Sequence, residues 1–264
     1  MIQTIQYVCV SHTGLVRRIN QDNFICGRQY RSTDADAACT RLSGILPVRR
    51  AGLFGVFDGM GGLPCGDTAS LCAAAYASTF KPDAYLLKAM KRLCADADAA
   101  VRAEAATLGL REIGTTAALV CFSGRHAAVC SVGDSRVYRF ADGMLTQVSV
   151  DHVVPSAFGG KPLLSQNLGM PPDAGTIAPS TRWLRVRPNE VVLLCSDGLT
   201  DMLPDEEIRR ILTAFPCDEA ADRLLDAALD RGGRDNITIM ICIPRCTHSK
   251  YDEEKERTRK HERR

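Results

Sequence analysis

The chain has 264 residues with a formal net charge of +2, and 45% of its residues are apolar. That apolar fraction suffices for a packed core, and the nearly balanced charge gives no indication of a nucleic-acid or membrane partner. No apolar run approaches the roughly 20 residues that span a bilayer. The start, "MIQTIQYVCVSHTG", lacks the basic residues and long apolar centre of a signal peptide. We therefore expect a monomeric cytoplasmic protein.

The predicted elements alternate in blocks along the chain. In chain order they are strands at 3–10 and 52–57, Ala-rich helices at 66–80 and 83–107, strands at 115–122, 126–132, 136–140 and 145–148, an irregular segment at 151–182, a strand at 190–196, helices at 205–214 and 218–231, and a strand at 236–243. Such blocks favour antiparallel sheets covered by helices over a doubly wound parallel sheet. We expect one domain at 1–244 and a charged, frayed or disordered tail at 245–264.

Twelve cysteines and five histidines are scattered along the chain, without a C-x-x-C pair or two histidines at ligand spacing. This distribution favours small buried thiols in a reducing compartment over a disulfide framework. It also argues against a zinc site.

Aspartates stand at the ends of several apolar, strand-like runs. "LFGVFDGMGG" passes from such a run into Asp58 and glycines, and "VVLLCSDGLTD" repeats this layout with Asp197, followed by Asp201. Asp134, Asp235 and Asp22 stand next to three further strands. "YRFADGMLTQV" provides an internal control, because its Asp-Gly pair lies between two alternating strands and is typical of a hairpin turn.

Several carboxylates gathered at one edge of a core repel each other and cannot all remain ionised unaided. Hard divalent cations relieve this repulsion, and oxygen ligands without His or Cys point to Mg²⁺ or Mn²⁺. Two such ions, about 3.5–4 Å apart, can activate a water molecule for attack on a phosphate ester. The sequence therefore predicts a dinuclear metal site.

Six motifs occur in a characteristic order: "RRINQDN", "VFDGMGG", "GTTAA", "VGDSRVYR", "CSDGLTDML" and "GGRDNIT". Together they resemble the metal-dependent protein serine/threonine phosphatases of type 2C, over residues 5–243 and in the bacterial form. The resemblance implies an α+β fold in which a central antiparallel β-sandwich carries helices on both sides. It also implies hydrolysis of phosphoserine and phosphothreonine in protein substrates, opposing a Ser/Thr protein kinase in signalling.

The resemblance assigns a role to each motif residue. Asp58 bridges two Mn²⁺ or Mg²⁺ ions, and Gly59 offers its carbonyl. Asp197 and Asp235 ligate the first ion, while Asp22 holds a water molecule on the metal. Asp134 and Asp201 match a third, weaker metal site. Arg17 matches the arginine that binds the substrate phosphate, with Arg18 as the alternative one position away.

Three features depart from the family pattern. Gln21 stands where many members have a glutamate, so we expect altered tuning of the second metal. Met60 replaces the histidine that protonates the leaving group in eukaryotic members, which leaves the general acid unassigned; a loop histidine, His152, is a candidate but is more simply a solvated side chain. The segment at 151–168 is short for the family's flap, which leaves substrate preference open.

Three alternatives accompany this interpretation. The spacing from Cys130 to Arg136 matches cysteine-dependent phosphatases, but the following residues continue as a strand and not as the helix that such a loop needs. The chain could also be a catalytically weak or inactive binding module, although Asp58, Asp197 and Asp235 are all present. A third possibility is a phosphatase of a phosphoserine regulator in a sigma-factor partner switch.

Overall fold

The structure is a computed structural model that describes residues 2–32, 38–48, 52–156 and 160–246. Its strands are β1 (Thr4–His12), β2 (Asn23–Cys26), β3 (Gln29–Tyr30), β4 (Cys39–Pro47), β5 (Leu53–Phe57), β6 (Ala117–Ser123), β7 (His126–Val132), β8 (Arg136–Ala141), β9 (Met144–Gln147), β10 (Val153–Val154), β11 (Leu163–Leu164), β12 (Ser180–Arg185), β13 (Val191–Cys195) and β14 (Ile237–Arg245). Its α-helices are α1 (Gly66–Ala77), α2 (Leu86–Thr107), α3 (Asp197–Thr200), α4 (Asp205–Ala214) and α5 (Cys217–Asp230).

Twelve of these strands form two six-stranded antiparallel sheets that face each other, and β10 and β11 pair separately. The first sheet has the order β4-β1-β14-β13-β8-β9, and the second has the order β12-β7-β6-β5-β2-β3. Helices α4 and α5 cover the first sheet, and helices α1 and α2 cover the second. The predicted α+β fold, a β-sandwich between two helical layers, is therefore confirmed.

Three apolar layers hold the sandwich together, and the pleat of each strand distributes side chains between them. In β14, Met240 and Cys242 point into the space between the sheets, whereas Ile239 and Ile241 pack against α4 and α5. Because both faces of these central strands are buried, their sequences are continuous apolar runs. Each fully buried aliphatic side chain contributes about 1.5–3 kcal/mol relative to exposure.

The helices that cover the second sheet present a regular apolar stripe. The buried residues of α2 recur at three- and four-residue spacing, as expected for an amphipathic helix. In α1 the buried positions are chiefly alanines, which allows the helix to approach the sheet closely. A long, small-residue helical pattern of this kind is easily identified from sequence, and both predicted helices are present.

Several edge strands were not predicted from the sequence. Strand β4 pairs with β1 at the edge of the first sheet, and its residues alternate between exposed and half-buried. Its mixed composition gives little apolar contrast, which explains the omission. The segment predicted as irregular, 151–182, contains the short β10–β11 hairpin and the beginning of β12, so that prediction was wrong in part.

The hairpin predicted at Asp142-Gly143 connects β8 and β9. Both residues have positive φ, +52° for Asp142 and +75° for Gly143, as a two-residue hairpin turn requires. The predicted charged tail is different, because residues 247–264 lie outside the described residues. Within the described parts of the chain, no helix is both long and apolar enough to cross a membrane.

Candidate active site

Aspartates from both sheets meet at one end of the sandwich. Asp58 follows β5 of the second sheet, and Asp197 follows β13 of the first. Burial raises the pKa of Asp58 well above its usual value, and the nearby charges of Asp197, Asp22, Asp134 and Asp235 raise it further. Carboxylates that are distant in sequence therefore share one electrostatic environment.

Asp22 is the most deeply buried member of this group. Its Oδ2 accepts hydrogen bonds from the hydroxyls of Ser196 and Thr238, both at 2.7 Å. Its Oδ1 is buried and has no hydrogen-bond partner among the described residues. Burial, together with the charges of Asp197 and Asp235, raises the pKa of Asp22 to about 7, although the two hydroxyl bonds act in the opposite direction.

The "GTTAA" motif holds the backbone of Asp58. The Asp58 N–H donates to Oγ1 of Thr116 at 3.0 Å, and the Asp58 carbonyl accepts from the Thr116 N–H and the Thr115 hydroxyl, both at 2.9 Å. The Thr116 hydroxyl also lies 2.7 Å from that of Ser135, next to Asp134. Neighbouring threonines of one motif thus position the end of β5 against the β7–β8 turn.

The glycines that follow Asp58 and Asp197 are required by close packing. A Cβ on Gly59 would lie 2.2 Å from the carbonyl oxygen of Gly66 and 2.5 Å from that of Gln21. A Cβ on Gly198 would lie 2.0 Å from the carbonyl oxygen of Asn236. Neither glycine is among those with positive φ, so these two Asp-Gly pairs are sites of close backbone approach and not tight turns.

Two cations enter the group of carboxylates. Lys161 forms ion pairs with Asp197 and with Asp201, the latter at 2.7 Å, and Arg17 pairs with Asp235 at 2.7 Å. Burial disfavours the Lys161 ammonium, but the two carboxylates outweigh this and raise its pKa. Lys161 was not predicted, because it stands in the Gly- and Pro-containing stretch "GGKPLL", which carries no periodic signal.

The donor chemistry of the site fits a hard divalent cation. All candidate ligands are oxygen atoms, and Oδ1 of both Asp22 and Asp197 is buried without a hydrogen-bond partner in the described parts of the chain. Burial and like charges also raise the pKa of Asp134 to about 6. Among the described residues, however, no three Asp, Glu, His or Cys side chains are preassembled as ligands; Lys161 and Arg17 instead pair with the carboxylates.

The two arginines of the "RRINQDN" motif have different surroundings. Arg17 faces the carboxylates, with its pKa raised by the hydrogen bond to Asp235, and its guanidinium lies against the backbone of Gly61. Arg18 is exposed and forms no ion pair with any carboxylate of the described ranges. This arrangement favours Arg17 as the residue that faces a substrate.

His152 is half-buried and is hydrogen-bonded to the backbone of Gly133. Its Nδ1 accepts a hydrogen bond from the Gly133 N–H at 3.1 Å, and its backbone N–H donates to the Gly133 carbonyl at 2.9 Å. Burial lowers the pKa of His152, although Asp151 opposes this effect. The histidine therefore fastens the turn that carries Asp134.

The cysteine-dependent mechanism finds no support in the geometry. Cys130 lies inside β7, is fully buried, and faces the thiol of Cys94 at 3.4 Å. The chain then enters β8 at Arg136 and not a helix. A thiol in this position has neither access to a substrate nor a helix N-terminus to hold a phosphate.

The chain matches a known protein family over more than half of its length. A family model described as protein phosphatase 2C matches residues 48–232. The chain belongs to the protein phosphatase 2C family. This phosphatase 2C chain is 30% identical to the serine/threonine protein phosphatase PstP of Mycobacterium tuberculosis, over 90% of its own length and 44% of that protein. It therefore spans less than half the length of PstP.

Other relatives of this phosphatase 2C chain are covered more fully. The serine/threonine phosphatase stp of Listeria monocytogenes is 29% identical, over 70% of this chain and 82% of that protein. The catalytic domain of PstP, solved in complex with 2 manganese ions, superposes with a TM-score of 0.73 at 27% identity, over 92% of this chain and 99% of that one. PppA, a key regulatory component of T6SS in Pseudomonas aeruginosa, superposes with a TM-score of 0.73 at 27% identity, over 92% of this chain and 99% of that one.

Proposed function

We propose that this chain is a protein serine/threonine phosphatase that hydrolyses phosphoserine and phosphothreonine monoesters with two Mn²⁺ or Mg²⁺ ions. The observation that carries the proposal is that Asp22, Asp197, Asp134 and Asp235 lie close enough to Asp58 for their charges to raise the pKa of its carboxyl. Membership of the phosphatase 2C family supports it, and so does the presence of 2 manganese ions in the related PstP structure.

The carboxylates of the site divide between the ions. In this assignment the Asp58 carboxylate would be shared by the two ions, and the carbonyl of Gly59 would be a further ligand. Asp197 and Asp235 would hold the first ion, and Asp22 would hold a water molecule on the metal. When bound, the ions would lower the pKa of a water molecule, so that this water can act as the nucleophile toward phosphorus at neutral pH.

Arg17 positions the substrate phosphate in this proposal. Its guanidinium is at the edge of the carboxylates and 40% exposed, and its planar donors match two phosphate oxygens. Asp235 now accepts one of these donors. Divalent ions that neutralise Asp235 would weaken that ion pair, so metal loading and substrate binding are linked through Arg17.

The proposed substrates are phosphorylated proteins, and a Ser/Thr kinase is the natural functional counterpart. A binding module without catalysis would be expected to lose metal ligands, whereas Asp58, Asp197 and Asp235 are all retained. A phosphoserine regulator of a sigma factor would use the same site, so only assays with defined substrates separate that case.

The test is phosphate release from a phosphothreonine peptide and a phosphotyrosine peptide, each with Mn²⁺, Mg²⁺ or EDTA. We expect turnover of the phosphothreonine peptide with either metal, little turnover of the phosphotyrosine peptide, and none in EDTA. Undiminished turnover in chelator would overturn the metal-dependent mechanism. Trapping of phosphate on Cys130 would replace it by a covalent one.

A further inference from the structure

A cavity of about 400 Å³ lies where the outer strands of the two sheets meet. Strand β3 is the outer strand of the second sheet, strand β4 is the outer strand of the first, and both contribute to the cavity lining. The lining contains three arginines, Arg28, Arg31 and Arg41, and none of its described residues is acidic. The cavity is therefore a basic site apart from the carboxylates of the candidate active site.

Arg31 is held in a fixed position at this cavity. The Asn23 side chain binds its backbone, because Oδ1 of Asn23 accepts from the Arg31 N–H at 3.1 Å and Nδ2 donates to the Arg31 carbonyl at 3.0 Å. The Arg31 Nη2 donates to the carbonyls of Asn20 and Asp22, both at 2.6 Å. Its Nη1 donates to no described residue, so one side of a prepositioned guanidinium is left for a ligand.

The positive charge of the cavity is only partly compensated. Arg41 pairs with Asp222 at 3.3 Å. Arg28 is exposed in the two-residue turn between β2 and β3, and it forms no ion pair with a carboxylate of the described ranges. Burial lowers the pKa of Arg31, since desolvation disfavours its charged form. An anion in the cavity would replace the hydration that Arg31 has lost.

The rest of the lining is partly apolar. Phe24 is buried, Leu42 is half-buried and Tyr30 is exposed, and all three contribute to the cavity. Cavities of roughly 300–1,000 Å³ hold small organic ligands, so this one is larger than a single phosphate ion requires. The planar donors of a guanidinium match two oxygens of a phosphate group. The lining thus combines donors for an anionic group with a surface for an apolar one.

We propose that this cavity binds a small organic phosphate. Its phosphate group lies between Arg28 and Arg31, and its apolar part packs against Tyr30 and Leu42. The inference goes beyond the proposed function and does not depend on it, because no carboxylate of the candidate active site lines the cavity. Arg31 connects the two regions, since it also holds the carbonyl of Asp22.

The test is titration calorimetry with phenyl phosphate and with inorganic phosphate, in EDTA to prevent metal-dependent hydrolysis. The proteins are wild type, Arg28→Ala, Tyr30→Ala and two controls. Arg182→Ala removes an exposed arginine from β12, at the opposite edge of the second sheet, and Arg17→Ala removes the arginine of the candidate active site.

We expect wild type to bind one phenyl phosphate per chain, more tightly than inorganic phosphate. Arg28→Ala should weaken this binding about tenfold or more, because a charged hydrogen bond is lost. Tyr30→Ala should weaken the binding of phenyl phosphate and leave that of inorganic phosphate unchanged. Neither control should alter the affinity. Should Arg28→Ala fail to fold by circular dichroism, Arg28→Gln takes its place with the same expected loss.

Equal affinity of wild type and a folded Arg28→Ala variant, or no binding to wild type, would overturn the inference. Weaker binding in Arg17→Ala but not in Arg28→Ala would also overturn it, because the ligand would then lie in the candidate active site. Inorganic phosphate that binds as tightly as phenyl phosphate would show that the cavity takes a free ion only. All of these outcomes are measured without metal, so they leave the metal-dependent turnover of the proposed function to its own assay.

Discussion

Replacement of Gly59 by alanine tests why a glycine follows Asp58. The added Cβ would lie 2.2 Å from the Gly66 carbonyl oxygen and 2.5 Å from the Gln21 carbonyl oxygen. Both obstacles are backbone atoms, so the β5–α1 loop must move as a unit. Overpacking of this kind lowers the free energy of unfolding by about 1–3 kcal/mol, and we expect Gly59→Ala to lower it by about 3 kcal/mol or more.

Gly62, three residues further along the same loop, provides the matched control. A Cβ on Gly62 would have nothing within 4 Å, and Gly62 is not among the glycines with positive φ. Gly62→Ala should therefore be neutral or stabilising, by up to about 1 kcal/mol, because alanine restricts the unfolded chain.

Urea unfolding of both variants in EDTA, followed by circular dichroism, measures the free energy of unfolding directly. A second titration with Mn²⁺ shows whether displacement of the loop also weakens metal binding, as we expect for Gly59→Ala alone. Equal stability and equal Mn²⁺ affinity of the two variants would refute the explanation by close packing.

Three further predictions concern charge. Arg17→Ala should lower kcat/KM for a phosphothreonine peptide roughly 10- to 100-fold, chiefly through KM, because a charged hydrogen bond is lost. Arg18→Ala should have a small effect. A larger effect of Arg18→Ala would show that the phosphate-binding arginine is assigned one position too early. Asp58→Asn should nearly abolish turnover, whereas Asp142→Asn, in the hairpin turn, should not; similar rates for both would contradict the assignment. Because the folded-state pKa of Asp22 is about 7, above the ordinary value, the native state binds the proton more tightly. The free energy of unfolding of the metal-free protein should therefore fall as the pH rises from about 4 to about 7, by up to about 4 kcal/mol. Urea unfolding in EDTA at several pH values measures this fall, and an undiminished fall in Asp22→Asn would show that another group causes it.

The parts of the fold that could be predicted from the sequence are those with strong local signals. Strands such as β5 and β13 are buried on both faces, so their apolar runs are unbroken and the aspartate at each end is conspicuous. Edge strands such as β4 and β12 have mixed exposure, and their pairing depends on the neighbouring strand more than on their own composition.

The contacts inside the site were less accessible to sequence reasoning. Asp22 is held by the hydroxyls of Ser196 and Thr238, which lie 174 and 216 residues away along the chain. Lys161 reaches Asp197 from a segment without periodic pattern. The packing of the two sheets brings these residues into contact. Each sequence motif contains only one member of a contacting pair, so the motif alone does not reveal the contact.

The central claim is that Asp58 lies between two divalent ions, and anomalous diffraction from crystals grown with Mn²⁺ tests it most directly. We predict two strong peaks that both contact the Asp58 carboxylate, one of them also contacting Asp197 and Asp235. A map with Mn²⁺ bound elsewhere, or with no peak beside Asp58, would contradict the claim.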